Sequence, residues 1–260
     1  MNYIILIIIL LLFYLYYTDC NCGEFFTNIN NNENTSWSHK WNQLDFQARK
    51  DANCNPIKKE YKNFGNISAW IWTVPHTCEQ GLPHTRNKEV IAMPENYNFS
   101  NYDKTIEHEK IHLYQRTYPN QWINFYKNDW DYELFSEPPN KIPKNLINKR
   151  RSNPDINNEP WCRWKNRWWS IPIYNNNLSL SGARIVWFDE KTNKILHNFP
   201  PGWNEFFGHN ISQAEHPHEI SAVLLSGDLF KKKKVLEHFS PAMKKLLNKW
   251  NWDKNPVFPQ

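Results

Sequence analysis

The chain has 260 residues, of which 40% are hydrophobic and 22% are charged, and this composition excludes a disordered protein because it can bury a sizeable core. The net charge of +5 is only mildly basic, so it does not by itself indicate a nucleic-acid-binding protein. Residues 231–234 form the one dense basic run, which we interpret as a solvated helix face, and we expect no nucleic-acid partner.

The N-terminus carries a continuous apolar run at residues 4–17. This run is shorter than the roughly 20 residues that a membrane-spanning helix needs, and it fits the core of a secretory signal peptide. An uncleaved membrane anchor is the alternative, because no Lys or Arg precedes the run. Residues 1–22 are therefore predicted to be a signal peptide or a membrane tether, and the body is predicted to be secreted or membrane-anchored with a lumenal or extracellular location.

The five cysteines agree with an oxidising compartment. Cys54 and Cys78 are candidates for a disulfide, although the sequence alone does not fix the pairing. The chain contains no CxxC pair, so a zinc site built from thiolates is not expected.

The first predicted elements of the body are two strands and two helices. Residues 66–74 and 88–93 are apolar, β-prone and followed by proline, which is typical of strands. Residues 105–118 contain neither Gly nor Pro and predict a helix that Asp103 caps and Pro119 ends. The aromatic-rich residues 119–135 predict a second helix.

The remaining elements complete a mixed order. Residues 136–160 contain five prolines and predict an exposed connection. Residues 183–188 and 194–199 predict a hairpin, whereas residues 215–229 and 241–250 predict helices. Strands, helices, a hairpin and further helices in this order predict an α+β fold rather than a doubly wound sheet.

One motif carries chemistry. His108, Glu109 and His112 form an HExxH sequence within the predicted helix 105–118. Residues four apart lie on the same face of a helix, so both imidazoles can bind one ion. Two imidazoles leave room on zinc for a third ligand and a water, and the adjacent glutamate can accept a proton from that water.

The motif resembles that of the zincin superfamily of metallopeptidases, and specifically the gluzincins. Gln115 and Tyr118 stand where the metzincin subclass has Gly and His, so that subclass is excluded. The resemblance implies an α+β fold in which the active-site helix packs on a small mixed sheet, with a second, mainly helical C-terminal lobe. Residues 23–260 are then one zincin-like domain, with lobes at 23–135 and 160–260.

The resemblance also implies one zinc ion per chain and a third ligand that is a glutamate on a later helix. Glu219 is our choice, because it opens the predicted helix 215–229 and the following turns are apolar. Four other side chains near it are competitors: Glu215, His209, His216 and His218.

Further site residues are proposed by residue type alone. A zinc-bound imidazole usually donates its other N–H to an acceptor, for which Asp228 or Glu133 is a candidate. His84 and Tyr174 are candidates for stabilising the transition state. Gln115, one turn beyond the motif, is interpreted as a buttress of the helix.

The leading hypothesis is a zinc-dependent hydrolase that cleaves a peptide or protein substrate, with Glu109 as the general base. The alternative is a non-catalytic interaction protein, secreted or membrane-anchored, on a zincin-like scaffold. Charges at Glu107 and Lys110, and the long separation between His112 and Glu219, favour that alternative.

A third hypothesis is a carbohydrate- or nucleic-acid-binding module that uses a tryptophan-rich segment at residues 161–169. The favoured interpretation of these aromatic residues is instead packing within the second lobe.

Overall fold

The computed structural model describes residues 41–65, 67–86, 89–97, 102–156, 160–209, 211–226 and 240–249. These residues form two β-sheets and seven α-helices, so the α+β class is confirmed. None of the helices in these ranges is both long and apolar enough to cross a membrane. The predicted leader, residues 1–22, and the basic run 231–234 lie outside the described residues.

The first sheet is mixed and has four strands in the order β1-β2-β4-β3. Strands β2 and β4 are parallel, and the other two pairs are antiparallel. The strands are β1 Lys58–Asn63, β2 Ser68–Val74, β3 His84–Arg86 and β4 Val90–Pro94. A short 3-10 helix, Cys78–Gly81, connects β2 to β3.

The motif helix α2 spans Tyr102–Thr117 and packs on this sheet. Asp103, the expected cap, lies inside its first turn, where a negative charge still interacts favourably with the helix dipole. The contact buries apolar side chains of both elements: Ala69, Ile71, Ile91 and Met93 of the sheet, and Ile106 and Leu113 of the helix. Removing these side chains from water anchors the helix and thereby fixes its two histidines in space.

The second sheet is antiparallel and has five strands in sequence order. Its strands are β5 Tyr132–Phe135, β6 Trp161–Trp164, β7 Trp168–Ile173, β8 Arg184–Asp189 and β9 Lys194–Leu196. The predicted hairpin is confirmed as β8 and β9. Strand β5 pairs with β6, so this sheet joins the two predicted lobes.

Two expectations about this half of the chain are wrong. Helix α3, Pro119–Trp130, ends earlier than predicted, because Asp131 adopts a left-handed conformation with φ of 56° and Tyr132 starts β5. The C-terminal lobe is not mainly helical, since residues 161–196 contribute four strands to one sheet. The tryptophans of residues 161–169 are buried in these strands, so the packing interpretation is confirmed.

The remaining helices are α1 Gln43–Ala48, α4 Lys144–Ile147, α5 Trp203–Phe207, α6 Pro217–Ser226 and α7 Pro241–Lys249. Aromatic side chains from α3, α5 and the second sheet form a core against α6 and α7. Helix α6 is buried along most of its length because it lies between this core and α2.

The candidate disulfide between Cys54 and Cys78 is present and links residues separated by 24 positions. The remaining described cysteine, Cys162, is buried and free. Burial raises the pKa of the Cys162 thiol to about 12, so this thiol is not reactive at neutral pH.

Four of the residues 151–155 are buried and the fifth, Pro154, is half-buried, although the proline-rich segment around them is predicted to be an exposed connection. Asp45 of α1 accepts hydrogen bonds from the backbone N–H and the hydroxyl of Ser152, both at 2.9 Å. Arg49 donates to the Ser152 carbonyl at 2.8 Å and pairs with Asp45 and Glu79. This buried network, which we call the α1 clamp, fixes the segment because Ser152 supplies three of the hydrogen bonds that the buried Asp45 and Arg49 make.

We expect Asp45→Asn to lower the free energy of unfolding by about 3 kcal/mol, because it removes one charge of a buried ion-pair network. Urea unfolding followed by tryptophan fluorescence measures the loss. Asp51→Asn is the matched control, since the Asp51 side chain is 85% exposed and should change stability little. Equal stability of Asp45→Asn and the unmodified chain would contradict the structural role of the α1 clamp.

Candidate metal centre

Three side chains converge at the contact between α2 and α6. The Nε2 atoms of His108 and His112 lie 3.0 Å apart. Glu219 places Oε2 at 3.3 Å from His108 Nε2 and Oε1 at 3.5 Å from His112 Nε2. These three residues are one of the two groups of described side chains able to hold a metal ion together.

The helices explain the convergence. His108 and His112 are one turn apart on α2, so their rings project from the same face. Glu219 is in the first turn of α6, beside Pro217, and a carboxylate is favoured there by the helix dipole. Helix α6 packs closely along α2, which brings that first turn to the two imidazoles.

The spacing fits tetrahedral zinc. With bonds of about 2.0–2.1 Å, a tetrahedral zinc ion holds neighbouring ligand atoms about 3.3 Å apart. The Nε2–Nε2 distance of 3.0 Å is close to that value, and so are the distances of 3.3 and 3.5 Å that join the two imidazoles to different oxygens of the Glu219 carboxylate. Two imidazoles and one carboxylate are also a donor set that zinc favours, and they leave a fourth coordination position.

The charges of the three groups support one another. Burial alone would raise the pKa of the Glu219 carboxyl, but His112 and His108 together hold it well below its usual range. Burial alone would lower the pKa of His112, but the Glu219 and Asp155 carboxylates raise it overall. Glu219 is therefore an anion in a buried place, which is the form that binds a cation.

Gln115 orients His112. Its Oε1 accepts a hydrogen bond from His112 Nδ1 at 2.8 Å, which directs the lone pair of Nε2 toward His108 and Glu219. The Gln115 amide donates to the Ser221 hydroxyl at 2.9 Å, so the acceptor is itself fixed by α6. The expectation that Gln115 buttresses the helix is confirmed, and the contact also positions a ring.

Three residues that the sequence did not single out complete the surroundings. Asn153 donates to Glu215 Oε1 at 2.7 Å and to Glu219 Oε1 at 2.9 Å. Arg151 donates to both carboxylate oxygens of Glu215. Asp155 accepts from the backbone N–H and the hydroxyl of Thr85. These three residues flank or follow the clamped Ser152, and the chain makes a turn at Asn153–Ile156.

Glu109 is buried beside this centre. Its Oε2 atom has no hydrogen-bond partner among the described residues. Burial raises the pKa of Glu109 well above its usual range, and the nearby carboxyls of Asp155 and Glu219 raise it further. Glu109 and Asp155 also form, with His112, the second group of described side chains close enough to hold a metal ion.

A cavity of about 750 Å³ gives access to the centre. Its lining includes His108, Glu109, Asn153 and Asp155. The His108 side chain is 15% exposed, whereas those of His112 and Glu219 are closed off. Pockets for small ligands commonly enclose about 300–1,000 Å³, so this cavity can admit a substrate.

The competing candidates for the third ligand either pair with another side chain or lie outside the groups of described residues that could hold a metal ion. Glu215 is paired with Arg151, and His209 is exposed. His216 and His218 are buried, and burial lowers the pKa of both rings, that of His218 to about 3. Neither histidine belongs to a metal-binding group of the described residues.

The expected supporting residues lie away from the three converging atoms. His84 lines the cavity, but its Nδ1 bonds the Leu82 carbonyl and its Nε2 accepts from Arg86, so both nitrogens are engaged. Tyr174 belongs to the α1 clamp, where it donates to Asp45 and accepts from Arg49.

Of the two candidate acceptors for a zinc-bound imidazole, Glu133 pairs with Arg163 on β6. Asp228 lies outside the described residues. In the structure the acceptor beside His112 is Gln115. Residues three apart on a helix are neighbours, so the sequence spacing could have identified this pair.

Comparisons with known proteins give no further identification. The chain matches no family model, no curated protein and no solved structure.

We expect Gln115→Leu to lower the free energy of unfolding by about 1–3 kcal/mol, because it leaves the buried Nδ1 of His112 without its hydrogen-bond acceptor. Denaturant titration gives the change. Gln47→Leu, at an exposed position of α1, is the matched control. An unchanged unfolding midpoint for Gln115→Leu would mean that these contacts do not hold α2 to α6.

Proposed function

We propose that this chain is a zinc-dependent metallohydrolase of the zincin type that cleaves peptide bonds. The observation that carries the proposal is the spacing of His108, His112 and Glu219, which fits three ligands of tetrahedral zinc. The position of α2 on a small mixed sheet, and of Glu219 at the start of a later helix, supports a gluzincin-like arrangement.

The residues divide the chemistry between them. His108, His112 and Glu219 would hold one zinc ion per chain. The ion supplies Lewis acidity, which makes water a nucleophile at neutral pH and polarises the substrate carbonyl. Glu109 takes a proton from the attacking water at Oε2, which has no hydrogen-bond partner among the described residues.

The same glutamate completes the cleavage. As the water oxygen bonds to the carbonyl carbon and the C–N bond breaks, Glu109 passes the proton to the departing nitrogen. Burial, with Asp155 and Glu219 nearby, raises the pKa of Glu109, so the carboxyl holds this proton well enough to deliver it.

The surroundings agree with a peptide or protein substrate outside the cytosol. The cavity of about 750 Å³ opens onto His108 and Glu109 and has both polar and apolar lining residues. The Cys54–Cys78 disulfide supports a body that faces an oxidising compartment, whether secreted or held by a membrane tether.

Zinc binding tests the ligand set. We expect about one zinc ion per chain after dialysis, measured by elemental analysis against protein concentration. His112→Ala should reduce this to near zero, because two ligands do not retain zinc tightly. His197 is exposed and directly follows β9, so His197→Ala should keep the full zinc content. Zinc retained in His112→Ala would exclude this centre as the binding site.

Hydrolysis tests the role of Glu109. We expect Glu109→Gln to lower kcat on a quenched-fluorescent peptide library by about 10²–10⁴-fold while zinc content stays unchanged, because the amide cannot accept the proton. Glu205→Gln, an exposed glutamate on α5, is the matched control.

The outcomes separate the proposed enzyme from its alternative. Turnover by Glu109→Gln at the rate of the unmodified chain would defeat the mechanism. Stoichiometric zinc without turnover of any library peptide would instead favour a non-catalytic interaction protein on the same scaffold.

A further inference from the structure

Segment 151–155 presents one residue to Glu219 in a fixed orientation. Ser152 is held by the α1 clamp, and both of its neighbours in the chain donate hydrogen bonds to Glu215. One of them, Asn153, is 7% exposed and lines the cavity.

The hydrogen bonds of Asn153 leave its amide one orientation. Its Oδ1 accepts from the backbone N–H of Asp155 at 3.0 Å, so the NH2 group is the end that faces the carboxylates. Its two N–H donors match two acceptors, Glu215 Oε1 at 2.7 Å and Glu219 Oε1 at 2.9 Å. A neutral side chain thus bridges two buried acids.

The two acids that it bridges are in different states. Glu215 is paired with Arg151, which is buried and donates to both of its oxygens. Glu219 has no such partner among the described residues and instead faces His108 and His112. The bridge therefore ties the Glu219 carboxylate to another carboxylate that Arg151 already fixes.

We propose that Asn153 is a positioning residue that holds the Glu219 carboxylate in its metal-binding orientation. This inference rests on the proposed function and deepens it, because it names the residue that preorganises the third ligand. A ligand held by such a contact loses less conformational freedom when the ion binds, and removal of comparable contacts weakens metal affinity about 10–100-fold.

A double-mutant cycle on zinc affinity tests this role without any measurement of activity. Dissociation constants are measured by competition with a chromogenic chelator for the full chain and for Asn153→Ala, each with and without Glu219→Ala. We expect Asn153→Ala to weaken zinc binding about 10–100-fold when Glu219 is present, and to have little effect once Glu219 is removed.

The controls separate positioning from a general effect on folding. Asn128→Ala, at an exposed position of α3, should bind zinc as the unmodified chain does. Asn153→Ser, which keeps a polar side chain too short to reach Glu219, should show the same loss as Asn153→Ala. It also provides a second variant in case Asn153→Ala fails to fold.

The other outcomes separate a failure of this inference from a failure of the proposed function. Unchanged affinity in Asn153→Ala or Asn153→Ser overturns the inference, as does an equal loss with and without Glu219, since that would show an effect not transmitted by this ligand. A full-length unmodified chain that binds no zinc overturns the proposed function instead, so the two failures are distinguishable.

Discussion

The burial of the Glu219 carboxylate is the constraint on which the centre depends. A carboxylate withdrawn from water costs several kcal/mol unless nearby groups compensate its charge. Here the compensation comes from His108 and His112 on one helix and from the amide of Asn153 on an extended segment. Because each partner belongs to a different part of the chain, the charge is compensated only when α2, α6 and segment 151–155 are all in place.

Acidic side chains crowd the same region, which favours a cation there. Glu109, Asp155 and Glu219 lie close together beside the buried Arg116, whereas Glu215 is paired with Arg151. Burial and the neighbouring carboxylates raise the pKa of Glu109 well above its usual range. A bound divalent ion would oppose that shift, since its own charge would be the largest in the site.

The parts of the centre that the sequence predicts are those that local geometry determines. The HExxH spacing places His108 and His112 on one helix face, and Glu219 is the acid at the start of an apolar helix. The first statement needs only the helical period, whereas the choice of Glu219 also rests on the resemblance to gluzincins, which implies a glutamate ligand on a later helix. The same reasoning identifies the α+β class, since it depends on the order of the elements along the chain.

The parts that the sequence misses depend on contacts between distant residues. Segment 151–155 is polar and lies among prolines, and its burial depends on contacts with distant residues, among them Asp45 more than a hundred positions earlier and Glu215 more than sixty positions later. The second sheet was missed in part because its tryptophans are buried together in β6 and β7 rather than in an alternating pattern, which resembles a helical core as much as a strand.

The contrast between Glu215 and Glu219 shows how a distant residue distinguishes two candidate ligands. The two glutamates are four positions apart and both are buried, so residue type and burial do not distinguish them. Arg151 does, because its guanidinium donates to both oxygens of Glu215 and compensates the charge of that carboxylate. Asn153 donates hydrogen bonds to both Glu215 and Glu219, so the fixed Glu215 also restrains Glu219. Glu219 remains the anion that faces the two imidazoles.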